Sequence, residues 1–135
     1  MTSIMSWMKS NKGSEIFGVA GFCWGGKMAM QAASMGPESG IAATGCVHPA
    51  MLSPELADEV GCLPMLIMPS KDDPDHAPLK EVLDTKDFGD KCRYHRFDDM
   101  HHGFCAARGD WSVPEQAARA SEAIGMFQNF FKENL

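Results

Sequence analysis

Basic side chains are scarce in this sequence of 135 residues. Twelve Lys and Arg stand against 18 Asp and Glu, which gives a formal net charge of −6 and an isoelectric point near 5.2. No segment gathers the Lys or Arg residues into a cluster. Because a nucleic-acid-binding surface needs concentrated positive charge, we expect no nucleic acid partner and a small-molecule substrate instead.

Long apolar runs are equally missing. No stretch approaches the roughly 18 consecutive apolar residues of a membrane span, and residues 1–9 hold no basic segment followed by an apolar core. The five cysteines form an odd set without Cys-x-x-Cys spacing, which favours reduced thiols over a disulfide framework. The sequence therefore predicts a cytoplasmic protein with no membrane segment and at least one free thiol.

Apolar segments of strand length alternate with helix-compatible segments along the chain. The predicted strands are residues 15–20, 41–47, 63–68 and 92–97, and the predicted helices include 2–11, 27–35, 78–85 and a last one from residue 112. Alternation of this kind implies a parallel sheet with right-handed crossovers. We predict a single α/β domain over residues 1–135, with a mostly parallel sheet of about four strands between two helical layers.

Several residues mark where the helices should begin and end. The Gly-Pro pair at residues 36–37 is predicted to end the second helix, because glycine adopts the left-handed cap and proline cannot continue the helix. Ser53 is predicted to cap a short helix that Gly61 closes. Ser112 and Glu115 have the spacing of a capping box, which predicts the start of the last helix.

The run at residues 21–26, Gly-Phe-Cys-Trp-Gly-Gly, is the strongest indication of chemistry. It joins a predicted strand to a predicted helix, which is the setting of a nucleophile elbow, here with Cys23 in the position of the usual serine. The start of the helix favours a thiolate, so we expect a lowered pKa at Cys23 and faster alkylation than at Cys46 or Cys62. The N–H of Trp24 is predicted to donate to an oxyanion. An inert, buried cysteine in a tight turn is the alternative.

A nucleophilic cysteine needs a base and a group that orients the base. Two loops that follow predicted strands supply candidates: residues 70–75 contain Asp72 and Asp73, and residues 98–104 contain His101 and His102. The carboxyl ends of parallel strands share one sheet edge, and the order Cys, Asp, His matches that of the α/β-hydrolases. These residues therefore predict a triad at that edge and leave both adjacent pairs open.

Taken together, these motifs resemble the dienelactone hydrolases of the fungal type, which are cysteine-dependent members of the α/β-hydrolase fold. The resemblance rests on the elbow run, on the sequence His102-Gly103-Phe104 and on residues 108–110, Arg-Gly-Asp. It implies that Cys23 is the nucleophile, that His102, which precedes Gly-Phe, is the base, and that Asp73 orients it. It also implies that His48 and Phe104 contact the substrate, although His48 equally fits a simple turn histidine.

Members of that family are usually longer, and the resemblance places this chain in their C-terminal half. The missing half would supply a second oxyanion donor and the strand that pairs with the elbow strand. We therefore expect self-association through the exposed sheet edge. The resemblance implies a hydrolase of lactone or carboxylic ester bonds, and an inactive fragment or pseudoenzyme that acts through self-association or a partner is the alternative.

A metal site is the third possibility. Cys92-x-x-His95 and His102-x-x-Cys105 have spacings found among zinc ligands. Residues three apart on a strand face opposite sides of the sheet, however, so Cys92 and His95 should point apart. We therefore expect neither a metal ion nor a cofactor.

Overall fold

A computed structural model describes residues 2–59 and 63–135. Five helices and four strands alternate along the chain. In order they are α1 (Thr2–Lys12), β1 (Phe17–Phe22), α2 (Gly25–Ala33), β2 (Ile41–Val47), α3 (Pro54–Glu59), β3 (Met65–Met68), α4 (Ala77–Asp84), β4 (Arg93–Tyr94) and α5 (Pro114–Asn134), with short 3₁₀ turns at Pro37–Ser39 and Gly89–Lys91. In the described part of the chain, no helix combines the length and apolar character that crossing a bilayer requires.

The four strands form one parallel sheet in the order β1-β2-β3-β4. Gly21 of β1 lies beside Cys46 of β2, and Cys46 lies beside Ile67 of β3. A single further bridge between Ser70 and Phe97 continues the β3–β4 pairing past the ends of both strands. This arrangement confirms the predicted parallel α/β fold and brings the ends of all four strands to one edge.

Two apolar clusters hold the helices against opposite faces of the sheet. On one face Met30, Ile41 and Ile67 join the buried cluster to which α1, α2, α3 and α4 contribute. On the other face Ala43 and Leu66 pack with Phe127 and Phe130 of α5. Because successive strand residues point to opposite faces, β2 and β3 contribute to both clusters. The result is the predicted three-layer arrangement.

Two of the four helix-end predictions are confirmed. Gly36 has a φ of +74°, as a glycine terminator requires, and Ser53 Oγ accepts a hydrogen bond from the Leu56 N–H at 3.3 Å. The prediction of a capping box at Ser112 is wrong. The Ser112 hydroxyl donates to the Asp110 carboxylate at 2.6 Å, and α5 begins after Val113 without a side-chain cap. Gly61 lies outside the described residues.

Strand β1 lies at the edge of the sheet as described. Within residues 2–59 and 63–135, β2 is its only partner strand. The side chain of Phe22 at its end is 40% exposed, and Ile16 just before it is also exposed. An edge strand with exposed apolar neighbours presents unpaired backbone groups to a further strand.

Candidate active site

The turn between β1 and α2 places Cys23 in a strained backbone conformation. Its φ is +52°, which is uncommon for a residue with a Cβ. A Cβ on Gly21 would lie 2.0 Å from the carbonyl oxygen of Gly25, and a Cβ on Gly26 would lie 2.8 Å from the Cβ of Pro49. These two glycines therefore allow the strand and helix to approach closely enough to form the elbow.

Backbone hydrogen bonds attach the elbow to the loop that follows β2. The carbonyl oxygen of Cys23 accepts from the N–H groups of Gly26 and Ala50, each at 3.0 Å. Trp24 occupies the N-cap of α2 and its side chain is exposed. Its backbone N–H donates no hydrogen bond within the part of the chain described. The structure thus leaves this donor available beside Cys23.

The loops after β3 and β4 bring an aspartate and a histidine into direct contact. His102 Nδ1 lies 2.5 Å from Asp73 Oδ1. The other oxygen of Asp73 accepts from the Ser70 N–H at 2.7 Å, and the Asp73 side chain is almost fully buried. A carboxylate held in this way fixes the orientation of the imidazole ring.

Asp72 and His101, the alternative candidates for the acid and the base, have other hydrogen-bond partners. Asp72 accepts from the backbone N–H of His102 at 3.1 Å and therefore contacts the main chain of that residue. His101 Nδ1 faces the carbonyl oxygen of His102 at 3.0 Å. Of the four loop candidates, only Asp73 and His102 form a contact between a carboxylate and an imidazole ring.

Arg96 stabilises the acidic loop of residues 70–75, a role that the sequence analysis did not predict. Its guanidinium donates to the carbonyl oxygens of Lys71 at 3.0 Å and Asp73 at 3.2 Å, and it also pairs with Asp98. A signal was present in the sequence, because Arg96 follows the edge strand next to the strand that carries the acidic loop.

Two imidazole rings flank the sulfur of Cys23. His48 Nδ1 lies 3.4 Å from Cys23 Sγ and 3.3 Å from the Cys23 backbone nitrogen, whose hydrogen it accepts. One ring nitrogen of His102, one of His48 and the sulfur all lie within 4.8 Å of one another. The structure therefore brings together Cys23, His102 and Asp73, and it adds His48 in direct contact with the thiol.

His48 is held under unusual conditions. It is fully buried, its φ is +37°, and its Nε2 atom has no hydrogen-bond partner among the described residues. Burial, with the nearby His102 as a further cause, lowers the pKa of His48 to about 4. The ring is thus neutral near pH 7, which agrees with its role as an acceptor. Strand register could have revealed the contact, because Phe22 pairs with Val47 and so places the next residues side by side.

The expected lowering of the Cys23 pKa is wrong in direction. Burial raises the pKa of the Cys23 thiol above its ordinary value, and the negative charge of Asp73 raises it further. Burial raises the pKa of Cys46 to about 12. The sequence indicated the start of a helix but not the carboxylate that tertiary folding places nearby. Cys62, the other thiol in that comparison, lies outside the described residues.

Phe104 does not line an open pocket in the structure. Its side chain is fully buried, and its ring packs edge-on against His48 at a centroid distance of 5.7 Å and against Phe97 at 5.0 Å. Phe104 supports the His48 ring from the apolar cluster on the α5 side of the sheet, and its contact with a substrate stays a prediction.

The Cys92-x-x-His95 pair points to both sides of the sheet, as the alternation predicts. Cys92 belongs to the apolar cluster beneath α2, α3 and α4. His95 is partly exposed on the opposite face, where Nε2 lies 3.8 Å from a carboxylate oxygen of Glu122 in α5. These two residues therefore cannot ligate one ion in this fold.

Comparison with known proteins gives a family match over nearly the whole chain. The sequence pattern described as "Dienelactone hydrolase family" matches residues 2–135. Two relatives from Schizosaccharomyces pombe, described as uncharacterized AIM2 family proteins C977.15 and C30D10.14, are 30% and 32% identical over 136 aligned residues. The alignments cover 98% of this chain and 53% of each relative, so the chain spans about half the length of these relatives.

A solved structure shares the fold. The crystal structure of dienelactone hydrolase from Anabaena variabilis superposes with a TM-score of 0.67 at 20% sequence identity. The superposition covers 99% of this chain and 57% of that one. At this identity the likeness establishes the arrangement of helices and strands.

Proposed function

This chain belongs to the dienelactone hydrolase family, and on that premise we propose that it hydrolyses carboxylic esters or lactones through a Cys23-His102-Asp73 triad. One observation carries the proposal. A cysteine on a strained strand-to-helix turn lies within reach of a histidine whose other ring nitrogen is held by a buried carboxylate. Nucleophile, base and orienting acid in this relation are the parts that acyl transfer needs.

His102 is the better candidate for the base, although His48 also lies beside the sulfur. The pKa of His48 is lowered to about 4, so this ring holds a proton poorly near pH 7. Its Nδ1 also accepts the Cys23 N–H. In contrast, Asp73 engages Nδ1 of His102, which leaves Nε2 of that ring to serve the thiol and stabilises the imidazolium that forms.

The proposed reaction proceeds in two steps. Because the pKa of Cys23 is raised, the thiol passes its proton to His102 as the sulfur attacks the carbonyl carbon. The tetrahedral intermediate collapses to a thioester as the imidazolium gives that proton to the leaving alkoxide. A water molecule then gives a proton to His102 and attacks the thioester, which releases the carboxylic acid and restores the thiol.

The oxyanion would be stabilised by the Trp24 N–H, which is free to donate among the described residues. The family resemblance assigns a second donor to a loop that residues 2–135 do not supply. Loss of one oxyanion donor reduces turnover by about a hundredfold to a thousandfold. We therefore propose weak hydrolysis by this chain alone.

Self-association is the second candidate function, and the edge position of β1 favours it. The strand has one partner strand in the described parts of the chain, and exposed apolar side chains flank it. We propose that a second copy of this chain pairs along that edge, in a cytoplasmic setting where the thiols stay reduced. Assembly of this kind would supply backbone hydrogen bonds that the isolated sheet edge cannot make.

Steady-state hydrolysis of an activated aryl ester and of a simple lactone by the purified 135-residue chain tests the catalytic proposal. Cys23→Ala and His102→Gln should each remove saturable turnover. The matched controls, Cys105→Ala and His95→Gln, should retain it, because neither residue belongs to the proposed triad. Equal turnover in all five proteins would overturn the proposal.

A further inference from the structure

Three ligand atoms that suit a soft or borderline metal ion converge at the elbow. They are the sulfur of Cys23, one ring nitrogen of His48 and one of His102, all within 4.8 Å of one another. The distance from Cys23 Sγ to His48 Nδ1 is 3.4 Å. One thiolate and two imidazoles form a donor set typical of zinc, and three protein ligands leave a fourth position for water. Cys23 and His48 directly follow β1 and β2, and His102 lies in the loop after β4, so the sheet brings the ligands to one edge.

The best-defined pair already has suitable spacing. A zinc ion lies about 2.3 Å from a thiolate sulfur and about 2.0 Å from an imidazole nitrogen. With those bond lengths, the 3.4 Å between Cys23 Sγ and His48 Nδ1 corresponds to an angle of roughly 105° at the metal, which is close to tetrahedral. Metal binding would replace the hydrogen bond that the Cys23 N–H now donates to the same nitrogen.

His102 completes the set with the support that metal-bound histidines usually have. Asp73 occupies its Nδ1, which fixes the orientation of the ring and leaves Nε2 to bind the ion. The His102 side chain is 28% exposed, so an ion can reach its ring from solvent. Cys23 is also partly exposed, which provides a path of entry.

His48 shows signs of a site maintained against local cost. A positive φ and an unpartnered Nε2 in a fully buried side chain both reduce stability. The conformation that carries these costs places Nδ1 beside the sulfur.

We propose that Cys23, His48 and His102 bind one zinc ion, and that the bound ion blocks the Cys23 thiol reversibly. On binding, the Cys23 thiol releases its proton to solvent and its sulfur donates an electron pair to the metal. Hard cations such as Mg²⁺ should not compete, because the set contains no oxygen ligand. The binding rests on ligand geometry, whereas inhibition of hydrolysis rests on the proposed function.

Zinc titration of the metal-free full chain tests the inference through stoichiometry and through alkylation of Cys23 by iodoacetamide. We expect one zinc per chain and at least about a tenfold slowing of alkylation, reversed by a chelator and not reproduced by Mg²⁺. His48→Gln and Cys23→Ser should each weaken binding by at least about tenfold. His95→Gln, at a partly exposed histidine that is not one of the proposed ligands, should bind as the unmodified chain does. Circular dichroism verifies that each variant is folded.

Three results would overturn the inference. Equal zinc affinity in His48→Gln and in the unmodified chain would assign the ion to another site, and undiminished alkylation at saturating zinc would show that the sulfur is free. If the metal-free chain shows no hydrolysis but still binds zinc in the titration, the result would count against the proposed function alone. Hydrolysis that persists unchanged in a chain without zinc binding would leave the function standing and reject the metal site.

Discussion

Two opposing influences act on the Cys23 thiol. The elbow places it at the start of α2, where a helix favours negative charge. Partial burial and the Asp73 carboxylate act in the other direction and raise its pKa. Asp73 therefore has two effects on one site, since it orients His102 and also disfavours the thiolate. In the proposed mechanism, proton transfer to His102 at the moment of attack reconciles these effects.

Asp73→Asn should separate the two effects. The substitution removes a negative charge near the sulfur, so the pKa of Cys23 should fall and alkylation by iodoacetamide at pH 7 to 8 should become faster. Hydrolysis should fall by at least about a hundredfold, because the imidazole loses its orienting carboxylate. Asp72→Asn is the matched control, since that residue contacts only the backbone of His102. Slower alkylation in Asp73→Asn would contradict the assigned electrostatics.

His48 should make stability depend on pH in a defined window. Its pKa is about 4 in the folded protein and about 6.5 when unfolded, so between these values the unfolded chain binds more protons. Folded-state stability should therefore decrease as pH falls from 6.5 toward 4, by at most about 1.4 kcal/mol per pH unit from this residue. His102, His101 and Asp73 are the charged groups that act on it.

Urea denaturation at several pH values measures this dependence. His48→Gln should flatten the slope between pH 4 and pH 6.5, because glutamine does not titrate. His76→Gln should flatten it as well, since burial also lowers the pKa of His76. An unchanged slope in the double variant would assign the acid sensitivity to other groups.

Among the elements, the elbow has the narrowest steric tolerance. A methyl group on Gly21 would meet the backbone oxygen of Gly25, whereas a methyl group on Gly25 would meet nothing within 4 Å. Gly21→Ala should therefore lower the free energy of unfolding by at least about 2 kcal/mol. Gly25→Ala, the matched control, should leave it unchanged or raise it by up to about 1 kcal/mol through better helix propensity. Similar urea midpoints for the two variants would show that β1 and α2 can separate.

The strands show which features local sequence determines. Strand β2 has its predicted bounds, Ile41–Val47, because it is buried on both faces and reads as one apolar run. Strand β4 is shorter than the predicted 92–97, since regular pairing with β3 ends at Tyr94 and resumes only at the Phe97 bridge. Alternating polarity alone could not indicate that interruption.

Predictions were less successful where a second residue competes for the same hydrogen-bonding group. Ser112 has the correct spacing for a capping box, but the carboxylate of Asp110, two residues earlier, takes its hydroxyl. The pairing of Asp73 with His102 followed the residue types and their order in the chain, yet the sequence alone could not choose it over Asp72. The contact between His48 and the sulfur depends on strand register, which single-strand patterns do not provide.

At the scale of the molecule, the exposed edge of β1 should govern assembly. Ala20→Lys adds a charge to an exposed position of that strand, which should disfavour pairing with a second copy. Size-exclusion chromatography with light scattering should show the unmodified chain as a dimer or larger and this variant shifted toward monomer. Ala107→Lys, at an exposed position in the loop before α5, should not shift. A monodisperse monomer in all three samples would contradict the proposed edge pairing.

The contacts around His102 also join two loops into one unit. Asp72 holds its backbone, Asp73 holds its ring, and Arg96 holds the carbonyl groups of the same acidic loop. Neither loop can then open without breaking bonds to the other. In hydrogen–deuterium exchange, the His102 amide should be protected although it lies in a connecting segment, and its protection should be lost together with that of the Ser70 amide. The two loops that hold the proposed base and acid would thus unfold locally as one cooperative unit, before the buried sheet beneath them unfolds.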